Sequence, residues 1–207
     1  MKRIFAVGPN KCGTNSINQF LEANGIPAMH WDKGRLARRI VSNASAGIDP
    51  LRGYEDYRGF TDIFSVSEEL YLSPVLIFDI LRRAYPDDIY VLNLRSFENW
   101  HRSRDNHRKG SPRPTITARL EALFGSDYDA RTEYEAFARL KQNPPARFHV
   151  LDLEQEDAFE TLAVFLEAQG FEICERAPRH ANRTADLPRP GRLGRVLNRL
   201  RRGFRRA

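Results

Sequence analysis

The chain lacks the features that mark several large protein classes. It has two cysteines, Cys12 and Cys174, in 207 residues. Two cysteines so far apart build no disulfide framework and offer no metal-ligand spacing. No run of about 18 apolar residues occurs, which excludes a membrane-spanning helix. The opening stretch MKRIFAVGPNK has two basic residues and a short apolar run, but not the longer apolar region and cleavage site of a signal peptide. A cytoplasmic location is the expectation. Internal repeats are absent as well.

Acidic residues are missing from one place in particular. From Arg189 to the end there are eight arginines and no Asp or Glu. The formal net charge of +6 belongs to that tail, since the rest of the chain has 25 basic against 27 acidic residues. A compositional break at Pro188 to Pro190 marks the join. The expected organisation is one domain over residues 1–188 and a tail over residues 189–207. In the tail, Leu193, Val196, Leu197, Leu200 and Phe204 fall at helical spacing with arginines on the other face. Such a basic amphipathic helix suits an anionic membrane surface. The alternative is a soluble basic extension, or one that meets nucleic acid without specificity.

What is present is enough for a core: 41% of residues are hydrophobic and 13 are Phe. RIFAV reads as a buried strand that stops at Gly8, and TNSINQFLEANG as a helix ended by Gly25. IPAMHW is a second strand, residues 33–46 are helical and FTDIFSV is strand-like. SPVLIFDILRRAYP has a serine cap and a proline in its first turn. DIYVLNLRS is the clearest strand, and FENWHRSRDNHRK is a helix broken by GSPRPT. Residues 110–128 read as a mobile loop or lid, residues 129–141 as a helix, ARFHVLDL as a strand and DAFETLAVFLEAQG as a helix. Strand and helix alternate, so the expected fold is a three-layer α/β/α domain on a mainly parallel sheet.

Two segments carry chemistry. GPNKCGTNS, residues 8–16, is a glycine loop between a strand and a helix. Unpaired N–H groups and the helix dipole make such a junction an anion site. Lys11 adds charge, and Thr14 and Ser16 add hydroxyl donors. Gly8 and Gly13 have the spacing of GxxxxGK[ST], but Thr14 stands where that pattern has its lysine. A magnesium-dependent NTPase also uses an aspartate that ends a strand, whereas YVLNLRS ends in arginine. Both departures favour a phosphate site that works without a metal. In the second segment, NLRSFENWHRS, Arg95 closes a strand and Ser103 follows eight residues later. The carboxyl edge of the sheet is where ligands of open α/β folds bind, and a guanidinium fork suits a phosphate.

These motifs resemble the sulfotransferases that use 3′-phosphoadenylyl sulfate. PNKCGTNSI is similar to that family's PKxGTxxL loop, which binds the 5′-phosphosulfate, and Arg95 with Ser103 matches its 3′-phosphate pair. FHVLDLEQEDAFETLAVFL is similar to a later strand and helix. PRHANRT resembles the segment that closes over the nucleotide. The resemblance covers roughly residues 3–187 and implies a P-loop NTPase-like fold with no metal. It implies donor contacts from Lys11, Cys12, Gly13, Thr14, Asn15, Ser16, Arg95, Ser103, Asn182 and Arg183. Lys11 is expected to stabilise charge on the bridging oxygen as the nucleotide leaves. The family takes its general base from a His or a carboxylate between the two motifs. The possibilities are His30, Asp32, Asp62, Glu68 and Glu69, with Asp62 first and His30 next. His101 and His107 read as structural or nucleotide-side residues. The implied acceptor is a hydroxyl on a carbohydrate, a lipid-linked sugar or another alcohol. A nucleotide kinase or NTPase, and a membrane-associated nucleotide-binding protein without catalysis, are the other readings.

Overall fold

The computed structural model describes residues 2–107 and 112–178. Asn182, Arg183, the boundary at 188 and the tail over 189–207 therefore lie outside the described residues. Five strands form one parallel sheet: β1 (Ile4–Ala6), β2 (Ala28–His30), β3 (Gly59–Thr61), β6 (Ile89–Leu94) and β7 (Phe148–Asp152). Their order is β2-β3-β1-β6-β7. β1 pairs in parallel with both β3 and β6. From β1 the chain passes to β2 at the edge, returns to β3 beside β1 and then crosses over to β6 on the other side. A topological switch point therefore falls at the carboxyl end of β1.

Side-chain alternation divides the core into two layers. Ile4, Ala6, Ile89 and Val91 face α1 (Thr14–Ala23) and α7 (Ala158–Ala168), meeting Ile17, Phe20, Leu162 and Leu166. Phe5, Val7, Phe60 and Tyr90 face α2 (Arg35–Ser45) and α3 (Pro74–Ala84), meeting Leu36, Ile40, Ile77 and Phe78. Every residue of β6 is buried, as expected for a central strand covered on both faces. The three-layer expectation holds.

Two expectations fail in detail. FTDIFSV is not one strand. It leaves the sheet at Asp62, whose φ is 57°, and re-forms as β4 (Ser65–Val66), which pairs antiparallel with β5 (Tyr71–Leu72). A non-glycine residue with positive φ cannot continue a strand. The loop or lid expected over residues 110–128 instead contains α5 (Ile116–Phe124) among its described residues. Thr115 caps it by accepting from the Ala118 N–H, and Leu120 is fully buried. The Gly and Pro residues before the helix hid it. α4 (Phe97–Asn106) and α6 (Ala130–Arg139) complete the set.

Candidate active site

The loop after β1 is shaped by its neighbours. Gly8 N–H donates to the Asn93 side-chain oxygen at 3.0 Å, and Asn93 Nδ2 donates to the Cys12 carbonyl at 2.7 Å. Trp100 Nε1 donates to the Asn10 carbonyl at 3.0 Å. Gly8 is needed for close approach, because a Cβ there would stand 1.9 Å from the Asn93 carbonyl oxygen. Gly13 has φ 65° and leads directly into α1 with no side-chain cap. The first N–H groups of that helix therefore have no partner within the helix. Lys11 itself has φ 65°, a conformation that costs energy in a non-glycine residue and is kept only where the surroundings over-determine it. Its ammonium lies 3.2 Å from His107 Nδ1.

On one side of the loop stand the ends of β2 and β3. His30 Nδ1 is 2.8 Å from the Thr61 hydroxyl, and its Nε2 is 3.9 Å from Asp62 Oδ2. The Asp62 side chain is 16% exposed, and its Oδ1 has no hydrogen-bond partner among the described residues. Burial pushes the Asp62 carboxyl up to about 6, against the pull of a hydrogen bond from Thr14 and the Lys11 charge. Burial also lowers the His30 pKa, and the Lys11 charge adds to the effect, so the imidazole is neutral at pH 7. Lys11, Thr14, His30 and Asp62 thus share one electrostatic environment. The aspartate that ends a strand, sought after β6, sits after β3 instead.

Asp32 is taken up elsewhere. Trp31, Asp32, Lys33 and Gly34 all have positive φ. Asp32 accepts from the Tyr54 hydroxyl at 2.7 Å and from Arg35 at 2.6 Å, which holds this left-handed turn in place. Glu68 and Glu69 are exposed in the β4–β5 turn.

On the other side of the loop, Arg95 and Ser103 line a cleft of about 320 Å³ with Asn99, Arg102, Asn106, Leu153 and Glu154. Arg95 Nε is buried without a hydrogen-bond partner among the described residues, and its carbonyl accepts from the Tyr134 hydroxyl. The cleft adjoins the loop at two points. Gly13 packs against Leu153, and Arg95 lies close enough to Cys12 for its charge to work against burial and pull down on the thiol pKa. Burial pushes the Cys12 thiol up to about 12, so it is an unreactive packing group. Asn93, Arg102 and Asn99 went unnoticed in the sequence, and Trp100 was legible only as the tryptophan before Ser103 in a segment that resembles the bacterial branch of the family. Arg102 could have been found as a second cation one residue before Ser103. Asn93 acts across the fold and leaves no local signal, and neither does the bond from Trp100 to the Asn10 carbonyl. A larger cleft of about 600 Å³, lined by Arg3, Leu51, Tyr54 and Arg58, opens at the amino-terminal edge of the sheet. None of the loop or cleft residues above lines it.

A sulfotransferase domain family matches residues 3–142, about two thirds of the chain. The chain belongs to this family and is a transferase enzyme. The match ends before β7, although β7 completes the same sheet through five paired residues against β6. A comparison with curated proteins finds no match.

Proposed function

We propose that the enzyme moves a sulfuryl group from 3′-phosphoadenylyl sulfate to an acceptor hydroxyl on a carbohydrate, a lipid-linked sugar or another alcohol. One observation carries the reading. Lys11 lies between a buried carboxylate at the end of β3 and an Arg–Ser cleft at the end of β6. An acceptor on the first side and a nucleotide 3′-phosphate on the second would put the lysine at the point of transfer.

The step follows from those positions. Asp62 takes the proton of the acceptor hydroxyl, and that oxygen bonds to sulfur. The bond from sulfur to the bridging phosphate oxygen breaks, and 3′-phosphoadenosine 5′-phosphate leaves. Lys11 and the N–H groups at the start of α1 stabilise the charge that grows on the departing phosphate. A carboxyl with a pKa near 6 is a stronger base than an ordinary aspartate and is still mostly ionised at pH 7. His30 is the second candidate for the base. The 3′-phosphate pairs with Arg95, whose unpartnered Nε fits an anion, and with Ser103. Loop residues Cys12, Gly13, Thr14, Asn15 and Ser16 hold the 5′-phosphate, and Asn182 and Arg183 belong to the segment assigned to the nucleotide by resemblance.

Asp62 beside Thr14 is the one arrangement that favours a magnesium-dependent kinase, since such enzymes pair a loop hydroxyl with a strand-end aspartate. Calorimetry separates the two readings. Full-length protein should bind 3′-phosphoadenosine 5′-phosphate without Mg²⁺ and more tightly than ATP. Tighter ATP binding that requires Mg²⁺ would reverse the choice.

A further inference from the structure

The loop after β1 has no regular hydrogen-bond ladder to fix it, yet Lys11 within it is held at φ 65°. Within the loop only the Cys12 N–H, donating to the Pro9 carbonyl at 3.3 Å, closes a turn around Lys11, and that one long bond works against the cost of roughly 1 kcal/mol that a left-handed lysine carries. The anchors are few. Asn93 is fully buried and uses both ends of its amide, accepting from the Gly8 N–H and donating to the Cys12 carbonyl. These two contacts straddle the loop, with Lys11 just before the second. Trp100, also fully buried, holds the carbonyl of Asn10 between them.

The chemistry of position 93 fits this task and little else. Asn93 continues the row Ile89, Val91, which faces an apolar layer. A buried amide costs free energy unless it is fully bonded. A single asparagine can offer an acceptor and a donor side by side, matching one N–H and one C=O. A carboxylate would offer only acceptors and would put negative charge behind an anion site. Leucine would fill the space and bond to neither group.

We propose that Asn93, with Trp100, is a clamp that sets the curvature of residues 8–13 and so aims Lys11 and the first N–H groups of α1 at the donor's 5′-phosphate. Asn93 is a positioning residue that acts through the loop and does not touch the donor. The proposal rests on the donor reading above, and its test separates the two. Two probes are used on the full chain. One is 3′-phosphoadenosine 5′-phosphate. The other is adenosine 3′-phosphate, which has the nucleoside and 3′-phosphate but no group for the loop.

Asn93→Leu should weaken the bisphosphate by about ten-fold or more, the scale of losing two buried hydrogen bonds. Its affinity for adenosine 3′-phosphate should stay within about two-fold of the wild type, because Arg95 and Ser103 are untouched. Equal weakening of both probes would mean general structural damage, and no weakening of either would mean the loop holds itself; each result overturns the clamp. If Asn93→Leu does not fold, Trp100→Phe is put to the same comparison. It removes the bond to Asn10 while keeping an aromatic ring beneath Arg104, and should show a smaller shift of the same selectivity. If wild-type protein ignores the bisphosphate, the donor reading fails, and hydrogen exchange then judges the clamp. Faster exchange confined to residues 8–13 in the variant supports it. Unchanged exchange there overturns it.

Discussion

Asp62 has opposite effects on catalysis and on stability. Its carboxyl titrates near 6 when folded, against 3.8 as its ordinary value, because burial disfavours the charge. As the base, it must be ionised, so activity should fall as pH drops below about 6. For stability the sign is reversed. Between pH 3.8 and about 6 the folded state holds the proton more tightly than the unfolded chain. Unfolding free energy therefore decreases as pH rises through that window and stays lower above it. Asp62→Asn removes the charge that burial penalises. The variant should lose transfer activity, keep its nucleotide affinity and melt at a higher temperature than wild type at pH 8. Full activity would remove Asp62 from the role and leave His30 to be tested. Lys11 and Arg95 should separate by kinetic pattern. Lys11→Ala should cost on the order of 100- to 1,000-fold in turnover with a smaller loss of product-nucleotide affinity. Arg95→Ala should act chiefly on donor affinity. Matching patterns in the two variants would sink this division of roles.

Helices α4 and α6 work as a unit. Arg104 of α4 has a side chain only 1% exposed and pairs with Glu133 of α6 at 2.6 Å. Glu133 also accepts from the Tyr71 and Tyr128 hydroxyls at 2.5 and 2.8 Å. Arg104 lies over the Trp100 ring, and the neighbouring Tyr134 reaches the Arg95 carbonyl. The element that carries Ser103 is thus set by a helix none of whose residues lines the cleft. Glu133→Ala should destabilise the protein by about 3–5 kcal/mol by leaving a buried arginine unpaired. Adding Arg104→Met should recover most of that loss in a denaturant titration; no recovery would mean that packing, not charge, is at stake. None of this could be read from the chain, because the pair is 29 residues apart and each member looks like an ordinary helix surface charge. What was legible was local. Lys11, Gly13, Arg95 and Ser103 stand at fixed offsets from strand ends, and the structure does bring their two segments together. Asp62 was legible as a strand-end acid, but its bond with Thr14 was not, because it needs the strand order. The β4–β5 hairpin and α5 were lost to short strands and to the breakers that precede the helix.

At the scale of the whole molecule, the charge imbalance lies outside the described residues, in the tail that begins at Arg189. Among the described residues no helix is long and apolar enough to cross a membrane. We expect the full chain to sediment with vesicles containing anionic lipid and not with neutral ones, and salt to weaken the association. A chain ending at Pro188 should still bind nucleotide but stay in the supernatant. Equal sedimentation of the two would make the tail a soluble extension. The sheet order also governs how the site comes into being. Gly8 and Asn93 are 85 residues apart in sequence, and β1 acquires its β6 partner only after β2, β3 and the hairpin have been laid down. Parallel pairing of such distant segments is slow to form. A chain leaving the ribosome therefore presents its glycine loop early but cannot shape it until β6 has emerged and docked. Phosphate affinity should appear late in refolding, with the last of the sheet, which makes nucleotide binding a reporter of completed folding rather than of the loop alone.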